Sequence, residues 1–152
     1  TQPKGRRYYW KSEYLGGLPA NMDELLVEHA SRVASPHSAI LVFPLGGAIS
    51  DLPEDHSAVG NRDTEFVLNI GGGWDDPAGD EANMRWAKDA YDALRPFGTG
   101  GTYVNFQTED EGDDRLHTAY RRNFDRLVEV KRAWDPENFF RHNRNIPVQE
   151  AA

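Results

Sequence analysis

The chain has 152 residues, of which 38% are hydrophobic and 28% are charged, and its formal net charge at pH 7 is −8. The length fits one globular domain with a substantial core, and the acidic balance excludes general binding to nucleic acid or to anionic membranes, which both need a basic surface. The absence of cysteine excludes disulfides, thiolate metal sites and thiol nucleophiles within these residues and leaves the localisation open.

The N-terminal part of the chain predicts a strand followed by a helix. The aromatic stretch from Tyr8 to Leu15 favours an extended segment. Asn21, with Glu24 three residues later, is typical of a helix N-terminus, and apolar residues continue at helical spacing to about Ser35. We therefore expect one strand and one amphipathic helix that ends before a proline.

The middle of the chain predicts two further strands. The apolar run 39–43 is typical of a buried strand, and Gly46-Gly47 favours a tight antiparallel turn, after which the strand resumes at 48–49. A polar loop to Asp63 precedes another strand over 66–70. The glycine clusters match no phosphate-binding motif, so turns are the simpler interpretation.

The C-terminal half predicts two helices with a strand between them. Apolar residues share one helix face from Asp80 to Leu94. Residues 102–106 have the composition of a strand, and after a solvated acidic loop one long helix is expected from Leu116 to Trp134. Because strands and helices do not alternate strictly, the order favours the α+β class, an antiparallel sheet flanked by helices.

The residues alone give no motif for self-contained catalysis. The histidines lack metal-ligand spacing, the acidic loop 109–114 lacks the EF-hand pattern, and no serine lies in a nucleophile motif, so we expect no metal site. Asn69 and Asn105 interrupt apolar segments, and Tyr103 is expected on the same strand face as Asn105. Such amides make a structural hydrogen bond or hold a ligand, and both interpretations stay open.

Several short motifs follow one another in register along the chain. They are Lys11-Ser-Glu-Tyr14, Pro44-Leu-Gly-Gly47, Asn61-Arg62, Tyr103-Val-Asn-Phe106, Asn123 to Lys131, Asp135 to Phe140, and Asn143-Arg-Asn-Ile146. Each motif is weak, but together they resemble the C-terminal part of the berberine-bridge-enzyme-like FAD-linked oxidases. The resemblance extends over nearly the whole chain.

The resemblance implies a domain organisation. Residues 1–102 would be the back half of the substrate domain, and residues 103–152 the C-terminal berberine-bridge-enzyme-like segment, whose tail returns toward an absent FAD domain. The two parts would form one structural unit. Because family chains are several hundred residues long and this one begins with Thr1, we expect it to be part of a longer protein.

The resemblance also implies which residues lie near the cofactor. Tyr103 and Asn105 match the strand that lines the flavin and substrate pocket in the family. Asn143 and Asn145 match the tail that returns near the cofactor. These four residues are the expected contributors to FAD binding, although most of the FAD site would belong to the missing N-terminal domain.

Three residues are expected to face the substrate: Asn69, Tyr103 and Phe106. Phe106 stands where many members of the family carry a catalytic Tyr, and Asn69 stands where some carry a Glu or Gln. Neither phenylalanine nor asparagine accepts a proton near neutral pH. No catalytic residue is therefore assigned, and the base is expected in the absent half.

The activity implied by the resemblance is oxidation of a small organic substrate by hydride transfer to FAD, with dioxygen as the acceptor. The isolated chain would be inactive and would self-associate through the apolar face meant for the FAD domain. The alternative is a stand-alone, non-catalytic binding or interaction module that keeps the fold.

Overall fold

The computed structural model describes residues 3–142 and 144–148. Three strands and four helices account for the regular structure of these residues. In chain order they are β1 (Arg7–Leu15), α1 (Met22–Ser31), β2 (Ala39–Pro44), β3 (Phe66–Trp74), α2 (Asp80–Leu94), α3 (Asp113–Tyr120) and α4 (Asn123–Trp134). The α+β class expected from the order of elements is confirmed.

The three strands form one antiparallel sheet with the order β1-β3-β2. The central strand β3 places Asn69 beside Ser12 of β1 on one side and Leu41 of β2 on the other. Because side chains alternate between the two faces of a strand, this register puts Ser12, Leu41 and Asn69 on the same face.

The opposite face of the sheet carries the core. Glu13 of β1 accepts a hydrogen bond from Tyr91 of α2 at 3.2 Å, which shows that the odd-numbered residues of β1 point toward the helices. The buried apolar residues of this cluster are Tyr9, Leu15, Met22, Leu68, Ile70, Trp74, Trp86, Ala87, Ala90 and Leu94. Each large side chain here stabilises the fold by about 1.5–3 kcal/mol relative to an exposed one, so α1 and α2 are held against this face.

The strand predicted over 102–106 is wrong. Tyr14 pairs briefly with the chain at Thr99 and Gly101, through backbone hydrogen bonds of 2.8 and 3.1 Å. The chain then leaves the sheet edge, and residues Val104–Phe106 form a 3-10 turn in which the Phe106 amide donates to the Tyr103 carbonyl at 2.8 Å. Backbone bonds within the turn take the place of pairing with a strand.

The long helix predicted from Leu116 to Trp134 is two helices. Arg121 lies between α3 and α4 with a φ of 49°, a value that ends a right-handed helix. Its side chain reaches Asp63 at 2.6 Å in the connection between β2 and β3. Apolar residues keep the helical spacing on both sides of the break, so their pattern does not reveal it.

The tight antiparallel turn predicted at Gly46-Gly47 is also wrong. Residues Gly47–Ile49 form a 3-10 turn, and the whole connection 45–65 lies between β2 and its partner β3. Strand β3 in turn continues past residue 70 to Trp74. Glycine at position 73 permits the strand to continue beside His37, because a Cβ there would lie only 2.9 Å from the His37 carbonyl oxygen.

Candidate functional site

The sheet face that turns away from α2 is the candidate site, and we call it the open face. Its central residue is Asn69, which is 7% exposed, and its edge on β2 consists of Leu41 and Phe43, which are 45% and 42% exposed. The open face comprises Tyr8, Trp10, Ser12 and Tyr14 of β1, Ala39, Leu41 and Phe43 of β2, and Val67, Asn69, Gly71 and Gly73 of β3. Apolar and aromatic groups thus surround one amide.

Residues 102–107 lie over part of this face, and we call them the cover segment. The Thr102 and Ser12 hydroxyls are hydrogen-bonded at 2.7 Å. The Phe106 ring stacks on Phe43 of the open face, with centroids 6.5 Å apart and an interplanar angle of 27°. The cover segment is therefore fixed to β1 at one end and to β2 at the other.

Within the cover segment the structure brings the predicted residues Tyr103, Asn105 and Phe106 together. The Tyr103 ring meets the Phe106 ring edge-on, with centroids 5.1 Å apart. Asn105 Nδ2 donates a hydrogen bond to Tyr103 Oη at 2.8 Å. This contact is between neighbours in a turn, not between residues on one strand face as the sequence predicts.

Asn69 has an unusual environment for a buried amide. Its Nδ2 is buried and finds no hydrogen-bond partner among residues 3–142 and 144–148. Its Oδ1 lies 3.4 Å from the position that a Cβ on Gly71 would take, so the glycine leaves space beside the amide. A buried donor without a partner costs about 1–3 kcal/mol.

An apolar cavity of about 550 Å³ opens between the cover segment and the 45–65 connection. Its polar residues are Tyr14, Asn61, Arg62 and Tyr103. Its other lining residues are Phe43, Leu45, Ala48, Ile49, Val59, Gly60, Val67 and Phe106. Burial is the main cause that raises the pKa of Tyr14 to about 12, so its hydroxyl stays a neutral hydrogen-bond donor.

A second, more polar cavity of about 900 Å³ lies on the other side of the cover segment. Tyr8 and Trp10 of β1 form one wall, and Asn105 and Tyr120 contribute to the rest. Asn69 lines neither cavity. The cover segment thus separates an apolar space, which contains Tyr103 and Phe106, from a polar one, which contains Asn105.

The predicted tail residues are only partly described. Asn143 lies outside the described residues. Asn145 is half-buried, and its Oδ1 has no hydrogen-bond partner among the described residues. Ile146 packs against the apolar cluster of Leu116, Phe124 and Val128, so the tail lies along α3 and α4 at this point. Asn145 lines neither of the two cavities.

Sequence reasoning missed an ionic group that joins β1 to the acidic loop and to the start of α3. Lys11 Nζ lies 2.9 Å from Asp110 and 3.4 Å from Glu111, and Arg115 lies 3.4 Å from the buried carboxylate of Glu13. We call these five residues the anchor network. The acidic loop is thus not wholly solvated, because the side chain of Glu111 is only 7% exposed. The signal in the sequence was the pair of opposite charges, Lys11 and Glu13, two residues apart in β1.

The pKa values of two carboxyl groups in this network are shifted in opposite directions. Burial raises the pKa of Glu13, although the Arg115 charge opposes the shift. Burial also works against the charged form of Asp110, but hydrogen bonds from Thr108, Tyr9 and Lys11 outweigh it and hold the pKa of that carboxyl well below its usual range. The network therefore keeps Asp110 ionised down to strongly acidic pH.

Two features that would bear on function are absent from the described residues. Among them, no helix has both the length and the apolar character to span a bilayer. They likewise contain no cluster of three or more His, Asp or Glu side chains arranged to hold a metal ion.

The C-terminal part of the chain matches a protein-family model. The model is described as "Berberine and berberine like" and covers residues 102–147. Among curated proteins, the chain is 29% identical to aclacinomycin-N/aclacinomycin-A oxidase of Streptomyces galilaeus, over 80% of this chain and 25% of that protein. It is 32% identical to monolignol oxidoreductase AtBBE-like 13 of Arabidopsis thaliana, over 70% of this chain and 22% of that protein.

Solved structures show the same fold. BBE-like #28 from Arabidopsis thaliana superposes with a TM-score of 0.85 at 20% identity, over 95% of this chain and 34% of that one. GilR in complex with pregilvocarcin, an oxidoreductase of gilvocarcin biosynthesis, gives a TM-score of 0.77 at 26% identity, over 88% of this chain and 31% of that one. The chain thus spans between 22% and 34% of the length of these relatives.

The family model, the named relatives and the shared fold agree with the motifs in the sequence. A further relative is an FAD-linked oxidoreductase of Dictyostelium discoideum, 25% identical over 97% of this chain and 32% of that protein, and its name implies FAD as a cofactor in the family. Residues 102–147 thus carry the berberine-like domain, and the chain is similar to part of the berberine-bridge-enzyme-like oxidoreductases.

Proposed function

We propose that the chain is the substrate-covering part of an FAD-linked oxidase that oxidises a small organic molecule, with dioxygen as the acceptor. FAD would be bound mainly by residues outside this chain. The observation that carries the proposal is the open face, where a buried amide without a partner, Asn69 Nδ2, lies among the exposed apolar side chains of Leu41 and Phe43.

The residues of the open face fit a flavin ring system. An isoalloxazine has a flat apolar surface and a row of hydrogen-bonding atoms along one edge. Leu41 and Phe43 offer apolar contact to such a surface. Tyr103 and Asn105 would add polar contacts from the cover segment, and Asn143 and Asn145 would do so from the tail. The division of the chain into residues 1–102, as part of the substrate domain, and residues 103–152, as the C-terminal segment, belongs to the same proposal.

The residues of this chain would position the substrate. When bound, FAD accepts the hydride from a substrate carbon. Phe106 and Tyr103 would form an aromatic wall for the substrate, and Asn69 would donate to a polar atom at the reacting end. Since neither Asn69 nor Phe106 takes up a proton near neutral pH, the substrate proton would pass to a base outside this chain.

Substitution of Asn69 tests the proposal in the whole protein that contains this chain. In Asn69→Leu the side chain keeps its size but loses the donor, and we expect flavin reduction by a substrate to slow about tenfold, the value of one hydrogen bond. The flavin content should not change. The rate is measured from flavin absorbance after anaerobic mixing, with Val27→Ala on α1 as the control.

An unchanged rate in Asn69→Leu would contradict the role of the amide. The assignment of the FAD site has a separate test. If the isolated 152-residue chain is purified with stoichiometric flavin, the cofactor is not bound mainly by residues outside this chain.

A second function, a non-catalytic binding module, is favoured by one observation. The apolar cavity is lined by no carboxylate and no imidazole from the described residues, and Phe106 occupies the position at which the family resemblance predicts a tyrosine. A holoprotein that binds organic ligands but whose flavin is reduced by none of them would support the module over the oxidase.

A further inference from the structure

Arg62 is a buried cation in the wall of the apolar cavity, and it is 9% exposed. Its Nη1 donates to the Ile49 carbonyl at 2.8 Å, and its Nη2 donates to the Ser57 hydroxyl at 2.9 Å. Its Nε is also buried but has no hydrogen-bond partner among residues 3–142 and 144–148. Two neutral oxygen atoms thus hold the guanidinium group, and one of its N–H groups is left for a further partner.

The carboxylates of the connection 45–65 do not neutralise this charge. Glu54 accepts hydrogen bonds from the backbone amides of Asn61 and Arg62, at 2.9 and 3.1 Å. Asp63 pairs with Arg121 at 2.6 Å. In the part of the chain that the structure describes, no carboxylate lies within salt-bridge distance of the Arg62 guanidinium. Because a buried charge is unfavourable without an opposite charge, we expect Arg62 to meet an anion when the cavity is occupied.

Asn61 contributes a second buried polar atom to the same lining. Its Nδ2 donates to the carbonyl oxygens of Thr118 and Ala119 in α3, at 3.1 and 3.0 Å, which fixes the orientation of the amide. Its Oδ1 has no partner among the described residues. Because this oxygen only accepts hydrogen bonds, it is available to a hydroxyl group of a ligand and not to a carboxylate.

We propose that the apolar cavity binds organic carboxylates, with the anionic group at Arg62 and the hydrocarbon part against the apolar lining. This inference rests on the proposed function, because it names the substrate class of the same site. The cavity volume of about 550 Å³ falls within the range of small-molecule sites. A hydrogen bond between a guanidinium and a carboxylate is strong, and the mostly apolar lining reduces its screening by water.

The negative net charge of the chain, −8, does not prevent this binding. Exposed carboxylates act through water, and salt screens them beyond about 8 Å at physiological ionic strength. Asp63 is one of these, with 70% of its side chain exposed. The buried guanidinium would be in direct contact with the ligand, so its attraction outweighs the more distant repulsion.

A matched pair of probes, 2-naphthoate and 2-naphthamide, tests the inference in the flavin-loaded whole protein that contains this chain. The two molecules have the same ring system and nearly the same size, but only the first is anionic at pH 7. Calorimetric titration without oxygen measures both affinities. We expect 2-naphthoate to bind at least tenfold more tightly than 2-naphthamide.

Two substitutions of Arg62 separate its charge from its structural contacts. Arg62→Gln removes the charge and should bring the two affinities to within about threefold of each other. Arg62→Lys keeps the charge and should preserve a preference for 2-naphthoate. Both variants lose the guanidinium that holds Ile49 and Ser57, so a merely structural role would change them alike.

A substitution elsewhere in the lining keeps the test valid if the Arg62 variants do not fold. Val59→Asp adds a negative charge to the cavity and should lower the preference for 2-naphthoate about tenfold. Val27→Asp is the matched control, because it makes the same change on α1, where Val27 is 69% exposed and lies outside the lining.

The outcomes separate the two proposals. Equal affinities of the two probes, or tighter binding of the amide, would overturn the inference, as would equal effects of Val59→Asp and Val27→Asp. Failure of both probes to bind would overturn it too, since an anion from the rest of the protein would then occupy Arg62. If the expected affinities hold but no carboxylate or other substrate reduces the flavin, the binding preference stands and the oxidase function fails.

Discussion

Gly98 is one of the glycines at which the fold leaves no space for a side chain. A Cβ at this position would lie well inside van der Waals contact with the Cγ of Glu13. Glu13 is fully buried and is held by Tyr91 and Arg115, so it cannot move aside cheaply. Glycine is required here for packing and not for backbone conformation, because its φ is −77°.

We therefore expect Gly98→Ala to lower the free energy of unfolding by about 1–3 kcal/mol, the cost of overpacking a buried site. Denaturant unfolding of the protein that contains this chain measures the effect. Gly17→Ala is the matched control, because a Cβ at Gly17 meets nothing within 4 Å. Equal stability of the two variants would show that Glu13 is free to move.

At the scale of single residues, the sequence predicts some site positions but not their contacts. Asn69 can be singled out because an amide that interrupts an apolar strand must find partners, and β3 does form around it. Whether its Nδ2 finds a partner depends on which strands lie beside β3, and the sequence does not predict the order of the strands in the sheet. The contact between Tyr103 and Asn105 was predicted from strand periodicity, but it arises in a turn.

At the scale of elements, the anchor network joins the loop before α3 to β1. Asp110 contributes to it through Lys11 and through Tyr9, whose hydroxyl donates to Asp110 at 2.6 Å. Because its folded-state pKa lies below the unfolded value of about 3.9, Asp110 stabilises the fold above that value. This stability is lost as the pH falls through the lower, folded-state pKa.

Asp110→Asn should therefore loosen the loop near neutral pH and have little effect in strong acid. We expect amide hydrogen exchange of residues 107–115 to become about fivefold faster at pH 7, a modest effect because the carboxylate is 39% exposed. Mass spectrometry of the whole protein measures it. Glu109→Gln, at an exposed neighbouring carboxylate, is the control. A difference between Asp110→Asn and the unaltered protein that persists below the folded-state pKa would contradict the ionic origin.

Element existence was easier to predict than element ends. The apolar spacing identified α1 and α2, and β1 and β3 followed from aromatic and β-branched runs. The break at Arg121 depends on a backbone conformation that the apolar spacing does not record, and its ion pair with Asp63 joins residues far apart in sequence. The glycines after residue 70 predict the end of β3, but the strand continues through them, and the backbone of β1 lies close to Gly72.

At the scale of the whole molecule, the described surface has two groups of exposed apolar side chains. One consists of Leu41, Phe43, Ile49, Val59 and Tyr103 around the open face. The other consists of Trp134 at the end of α4 and of Phe139 and Phe140 beyond it, which are 85%, 72% and 75% exposed. Surfaces of this kind are typical of interfaces.

We expect the isolated 152-residue chain to self-associate, because water contact with both surfaces is unfavourable. Sedimentation across a range of concentrations should show species larger than a monomer, together with binding of a dye that reports exposed apolar surface. Phe43→Asp should weaken the association, whereas Val27→Asp should not. A monomer at high concentration that binds no dye would contradict the expectation.

The α+β class and the family were predictable from the sequence at this scale, because both depend on the order of elements and on short motifs. The position of the connection 45–65 was not, since nothing local shows that its residues form a cavity with the cover segment. Long-range packing decides that arrangement.

Strand β1 is gripped on both faces by one stretch of chain. Ser12 bonds to Thr102 above the sheet, and Lys11 and Glu13 bind Asp110 and Arg115 below it. Residues 102–115 thus enclose the edge of the sheet. A shift of β1 would therefore displace both Thr102 and Arg115. We therefore expect substitutions on the helix-covered side of β1 to change the geometry of the open face, although they do not contact it.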